Sequence, residues 1–221
     1  MRGDVLRQSL LVQHRGACLA GQGLNPSRRQ LHSHTRARAH HKDIQEVIFT
    51  ADAIKERIKV MGRTIAEDFE EKEPLIIGTL NGAFVFMADL VRSIEPLPTG
   101  LTMDFLRASS YTGSTTTGQD AVSLGMVSKT SVRGRHILLV EDIIDTGKTL
   151  QELCGRLRAQ GAASVAVIAL LDKAARRTVD LTPDYRGFEC PDEFVVGYGL
   201  DFNELYRSLP YVGVLKPECY L

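Results

Sequence analysis

The sequence predicts an α/β protein, a three-layer sandwich around a mostly parallel sheet. Three observations carry the prediction. His136-Ile137-Leu138-Leu139-Val140 is a continuous apolar run, as expected of a strand buried on both faces. Val165-Ala166-Val167-Ile168-Ala169-Leu170-Leu171 is a second run of the same kind. Between them Gly147 opens a helical stretch that reaches about Gln160, and strand, glycine loop, helix, strand is a βαβ unit.

The remaining elements begin near Glu46. Ile54, Ile58, Met61, Ile65 and Phe69 recur every three or four residues and mark one face of an amphipathic helix. Pro74 stops that helix, and Leu75-Ile76-Ile77 follows as a short buried strand. Residues 78–82 read as a turn, after which Phe84-Val85-Phe86-Met87-Ala88-Asp89-Leu90 begins a second helix. Another strand is expected at about residues 101–106. Residues 109–119 are crowded with Ser, Thr and Gly, lack apolar periodicity, and read as a long mobile loop. No internal repeat is present.

A composition of 43% hydrophobic and 24% charged residues over 221 positions suits a soluble globular domain with an appendage. The boundary falls at residue 42. Residues 1–42 hold eight Arg or Lys and five of the six histidines against the single acid Asp4, a formal +7; residues 43–221 carry the compensating −7. The arginine-rich, acid-poor segment fits a mitochondrial or plastid transit peptide, and equally a disordered basic tail with no address, in which case the cytoplasm is the expected location. Residues 43–221 form the expected domain. Its acidic balance argues against a broad nucleic-acid-binding surface. No apolar run is long enough to cross a bilayer. Cys18, Cys154, Cys190 and Cys219 are scattered without metal-ligand spacing and read as reduced structural thiols.

Ligands of an open α/β sheet bind beyond the carboxyl ends of its strands. Glu141-Asp142-Ile143-Ile144-Asp145-Thr146-Gly147-Lys148-Thr149 occupies that place. Its glycine turn at a helix N-terminus offers backbone N–H groups and two threonine hydroxyls to a phosphate. Gly147-Lys148-Thr149 matches the tail of a nucleotide P-loop, but the leading glycine of that motif should stand at position 142, where the chain has Asp142. Three carboxylates beside a triphosphate are also electrostatically wrong. Adjacent acids suit a sugar diol or a divalent cation, with one monophosphate in the turn. A capped helix N-terminus alone would account for Asp145 or Thr146, not for Glu141 and Asp142 as well.

The segment 140–149 resembles the phosphoribosyl-pyrophosphate signature of type I phosphoribosyltransferases, and its wording resembles the hypoxanthine-guanine branch. The resemblance extends over about residues 46–221 and rests on several separated motifs. It implies a three-layer fold with a small hood and a lid loop. Glu141 and Asp142 would accept from the ribose hydroxyls, Asp145 to Thr149 would enclose the 5-phosphate, and Asp145 would sit beside the purine imidazole as proton acceptor. Lys173 would donate to the exocyclic oxygen of a 6-oxopurine. In the stretch from Glu193 to Val195, Phe194 would stack on the purine and the Val195 backbone would read its edge. Magnesium is implied, held by Asp201 with Glu141 and Asp142 as carboxylate partners. Arg207 would contact pyrophosphate. Leu80-Asn81-Gly82 matches the pyrophosphate loop, for which the resemblance implies a non-proline cis peptide, although the family often has lysine where this chain has Asn81. Ser110-Tyr111 resembles the lid that excludes water.

The function so implied is transfer of a 5-phosphoribosyl group from phosphoribosyl pyrophosphate to hypoxanthine and guanine, by a homodimer or homotetramer. The competing readings are a non-catalytic sensor of phosphoribosyl pyrophosphate, and an enzyme of the same fold acting on another base.

Overall fold

The computed structural model describes residues 41–110, 122–126 and 130–221. Five parallel strands form the centre: β2 (Pro74–Leu80), β3 (Thr102–Ser110), β5 (His136–Ile144), β6 (Ser164–Asp172) and β7 (Tyr185–Glu189), with β4 (Val122–Met126) antiparallel at one edge. Their order across the sheet is β4-β3-β2-β5-β6-β7. Helices α1 (Ala51–Asp68) and α2 (Phe84–Val91) pack on one face, and α3 (Lys148–Ala159) packs on the other. Thr50 caps α1 by accepting from the Ala53 N–H at 3.2 Å.

Strand alternation explains the two cores. Ile76, Leu138, Val140, Ile168 and Leu170 point towards α1 and α2, whereas Leu75, Ile77, Ile137, Leu139, Val167 and Ala169 point towards α3. With both faces covered, β2, β5 and β6 read as unbroken apolar runs, and the β5–α3–β6 unit forms as the sequence predicts.

Two expectations are corrected. Residues 78–80 are strand rather than turn, because β2 runs to Leu80. Gly78 does not break it; the missing side chain makes room, since a Cβ there would stand 2.3 Å from Met87 Sδ. Residues 109 and 110, expected in a loop, close β3 and pair with β4 through Ser109↔Ser123 and Ser110↔Val122. The rest of that predicted loop lies outside the described residues.

A second sheet makes a hood. β1 (Ile44–Phe49), β9 (Val212–Leu215) and β8 (Val195–Val196) pair antiparallel in the order β1-β9-β8. Val195, Tyr198, Leu200, Val212 and Val214 join the core under α1 and α2, and the Tyr198 hydroxyl donates to Asp89 Oδ2 on α2 at 2.6 Å.

Candidate active site

In-register parallel strands end together, so the carboxyl ends of β2, β5 and β6 bring Leu80, residues 141–144 and Asp172 to one edge. Glu141 and Asp142 sit partly buried at the end of β5. The Thr79 hydroxyl, on neighbouring β2, donates to the Glu141 carboxylate. Asp142 Oδ1 accepts from the Ile143 N–H at 2.9 Å. Burial pushes Glu141 well above the usual carboxylate range, with the adjacent Asp142 adding to it. Burial also raises Asp142, opposed by the Ile143 N–H and by Arg207, while Asp201 pushes it further up. Two acids forced together at a partly dry strand end favour a ligand that brings hydrogen-bond donors or positive charge.

The turn after β5 is fixed from behind by the segment that follows β6. The Ile144 carbonyl accepts from Lys173 N at 2.9 Å, the Asp145 carbonyl from Arg177 Nε at 3.1 Å, and the Thr146 carbonyl from Thr178 N at 3.1 Å. A peptide's N–H points opposite to its C=O. Three successive carbonyls held backward therefore turn the N–H groups of Asp145, Thr146 and Gly147 forward, making an anion nest at the start of α3. Asp145, Thr146 and Gly147 line a cavity of about 160 Å³ together with Glu141, Ile143 and Thr149. Gly147 has φ 82°, the left-handed region, and a Cβ would stand 2.8 Å from Arg177 Cδ. Lys148 opens α3 and is exposed.

Arg177 supports this turn as an internal strut. Its guanidinium pairs with Asp172, whose side chain is only 4% exposed, and donates to the Leu181 and Ile144 carbonyls. Arg177→Ala would leave a buried carboxylate paired, among the described residues, with Arg186 alone at 3.5 Å. The expected loss is about 3–5 kcal/mol of stability, read from urea unfolding. A loss below about 1 kcal/mol would mean that the pair contributes no net stability.

On the β2 side the Leu80–Asn81 peptide is cis, as the family resemblance implies. Asn81 is exposed, and Gly82 lies against Asp142: a Cβ on Gly82 would stand 1.8 Å from Asp142 Oδ2. Gly199 of the hood touches the same loop, because a Cβ there would meet the Gly82 carbonyl at 2.1 Å. Arg207 Nη1 donates to the Gly199 carbonyl at 2.9 Å, and its Nη2 pairs with Asp201 at 2.9 Å and Glu204 at 3.1 Å. Asp201 Oδ2 also accepts from Glu204 N at 2.9 Å. Asp142, Gly82, Asp201 and Arg207 thus converge from three elements.

On the other side, Lys173 Nζ donates to the Glu193 carbonyl at 2.6 Å, bringing Lys173 to the segment that carries Phe194 and Val195. Phe194 is 37% exposed and stacks on Tyr220, centroids 4.7 Å apart, while Phe202 meets it edge to face at 5.5 Å. Val195 is buried and pairs with Val214. Ser110 is the last residue of β3, and Tyr111 lies outside the described residues. Sequence reasoning missed Thr79, Arg177 and Tyr220. The Arg176-Arg177 pair three residues beyond Lys173 was the available signal for one of them.

Comparison with known proteins finds a matching family and similar chains. Residues 45–203 match the phosphoribosyl transferase domain model. The hypoxanthine-guanine phosphoribosyltransferase of Bacillus subtilis is 46% identical over 178 residues, covering 80% of this chain and 97% of that protein. The bifunctional protein TilS/HprT of Listeria monocytogenes is 46% identical over 180 residues; the alignment covers 81% of this chain but only 27% of that longer protein. The crystal structure of a hypoxanthine phosphoribosyltransferase from Staphylococcus aureus superposes with a TM-score of 0.73 at 38% identity, covering 82% of this chain and 96% of that one.

Proposed function

Because the chain belongs to the phosphoribosyltransferase family, we propose that it transfers the 5-phosphoribosyl group from phosphoribosyl pyrophosphate to hypoxanthine or guanine. The products are IMP or GMP and pyrophosphate, a reaction of purine salvage. The observation that carries this reading is the pairing of two acids, Glu141 and Asp142, with a forward-facing N–H nest in one strand-to-helix turn. A diol binder and a monophosphate binder joined in that way match a ribose 5-phosphate.

In this reading Glu141 and Asp142 accept from the ribose hydroxyls, and Asp145 through Thr149 enclose the 5-phosphate. A purine nitrogen attacks the anomeric carbon, the bond from that carbon to pyrophosphate breaks, and the electron pair leaves on pyrophosphate. The proton released by the imidazole ring passes to the Asp145 carboxylate. Lys173, a cation beside the base segment, favours a 6-oxo group over the amino group of adenine. Phe194 stacks on the purine, and Glu193 and Val195 border it. Arg207, with the Leu80-Asn81-Gly82 loop, receives pyrophosphate as a fixed charge. The neutral Asn81 leaves that task more heavily on Arg207 and the loop backbone. Ser110 and Tyr111 belong to the segment that excludes water.

Magnesium fits the donors present. Glu141, Asp142 and Asp201 offer hard carboxylate oxygens, and Asp142 is raised by burial with Asp201 adding to it, a charge conflict that a divalent cation relieves. Among the described residues no group of three or more potential ligands is gathered, so substrate oxygens and water would complete the shell. When bound, the ion neutralises charge on the departing pyrophosphate.

The expected assembly is a homodimer or homotetramer, as the family resemblance implies. Residues 1–42 are a basic extension outside the catalytic domain of residues 43–221, and the enzyme is placed in the cytoplasm unless that extension carries an organellar address. Among the described residues no helix is long and apolar enough to cross a membrane.

The test is a purified-protein assay with magnesium, phosphoribosyl pyrophosphate and each base in turn. Turnover is expected with hypoxanthine and guanine and not with adenine. No pyrophosphate release with either 6-oxopurine would overturn the assignment in favour of a binding protein.

A further inference from the structure

Arg176 and Arg177 are adjacent but do different things. Arg177 is an internal strut, described above. Arg176 ends a 3-10 turn (Ala174–Arg176) that begins directly after Lys173, and its side chain is 50% exposed. Its Nε lies 2.8 Å from Asp145 Oδ1, and its Nη1 lies 3.5 Å from Asp192 Oδ1. One guanidinium therefore links the turn after β5, the turn after β6 and the segment that leads to Phe194.

An ion pair between two half-exposed side chains contributes little to folding, so stability alone does not account for this contact. The backbone of the turn is already held without it, since the carbonyls of Ile144, Asp145 and Thr146 are all engaged by Lys173, Arg177 and Thr178. Those bonds leave the Asp145 side chain free to change rotamer. Among the described residues Arg176 is the one whose side chain meets the carboxylate itself, at Oδ1, which leaves Oδ2 without a side-chain contact to compete with a purine. Asp192 holds the guanidinium from its far side and limits its own motion.

We propose that Arg176 is a positioning residue: it fixes the Asp145 carboxylate in the orientation that accepts the proton of the incoming purine. This rests on the reading of Asp145 as proton acceptor. It assigns Arg176 no contact with either substrate.

The test is a double-mutant cycle on the purified enzyme, with kcat and both KM values measured for Arg176→Gln, Arg176→Lys, Asp145→Asn and the double variant Arg176→Gln/Asp145→Asn. Arg176→Gln is expected to lower kcat about tenfold, because a small misplacement of a reacting group is costly, with KM for phosphoribosyl pyrophosphate changed less than about twofold. Arg176→Lys, which can still reach the carboxylate with a cation, should recover most of the loss. In the Asp145→Asn background the glutamine substitution should have no further effect, as expected of two residues that act as a unit. Unchanged kcat in Arg176→Gln while Asp145→Asn is inactive overturns this proposal alone. So does an undiminished tenfold loss in the Asp145→Asn background, which would mark a general structural role. Full turnover in Asp145→Asn overturns the proton-acceptor reading, and the present proposal with it.

Discussion

Asp145→Asn is expected to lower kcat by on the order of 10²–10⁴-fold, the usual contribution of a positioned proton acceptor. The substitution keeps the shape of the side chain and removes its capacity to take a proton. It should leave the phosphate nest intact, because the Asp145 carbonyl, not its side chain, is what Arg177 holds from behind at 3.1 Å. The loss should therefore appear in kcat while the affinity for IMP, measured by equilibrium binding, changes only a few-fold. The asparagine also forfeits the charge that Arg176 meets at 2.8 Å, but that pair is too exposed for its loss to threaten the fold. Turnover within a factor of about three of wild type would remove Asp145 from proton transfer.

Gly82→Ala is expected to reduce kcat/KM for phosphoribosyl pyrophosphate by at least about 100-fold. Gly82 is not among the glycines with positive φ, so alanine is conformationally allowed there and the effect is steric. The new methyl would stand 1.8 Å from Asp142 Oδ2 and 2.6 Å from its Cγ. The Gly82 carbonyl lies close to Gly199, where a Cβ would stand 2.1 Å from it, so Gly199 opposes retreat of the loop. Asp142 must move instead, giving up its bond to the Ile143 N–H, and the ribose-binding acid is displaced. Stability should fall by only about 1–3 kcal/mol, the typical cost of overpacking, so a folded but inactive protein is the outcome to look for. Steady-state kinetics at varied phosphoribosyl pyrophosphate, paired with thermal unfolding, separates the two effects. A loss below about tenfold would show that the loop yields.

The parts that were legible in the sequence share a physical property: they are continuous in the chain. β5, α3 and β6 announce themselves because strands covered on both faces become unbroken apolar runs, and Glu141 to Thr149 lie in one stretch at the end of such a run. Edge elements carry no such signal. β1 has Ile44 alone buried, β7 has a mixed pattern, and β8 is two residues long, so none stands out from loop by periodicity. Within the site, Lys173, Phe194 and Arg207 were reached through family resemblance rather than from their own spacing. What no motif reports is pairing across the chain: Thr79 on Glu141, Arg176 on Asp145, Tyr220 on Phe194. Each joins residues whose proximity exists only once the sheet is ordered. Gly78 misled the strand boundary for a related reason, since its small size answers to Met87 and Phe105 rather than to a turn.

The hood has a consequence for the order in which the two halves of the site can form. The sugar-phosphate half is built from the ends of β2 and β5, neighbouring parallel strands that need nothing beyond β6 and its following turn to be complete. The base half waits for β9, the central strand on which both β1 and β8 depend for their pairing. Because Ile44 pairs with Leu215 across almost the whole domain, that sheet closes the longest loop in the fold and pays the largest chain entropy on forming. During synthesis a nascent chain that has emerged through the turn after β6 would hold the cradle for the ribose and its 5-phosphate, with no place yet for the acceptor and without Arg207 for the pyrophosphate. The capacity to join the two arrives with the last strand.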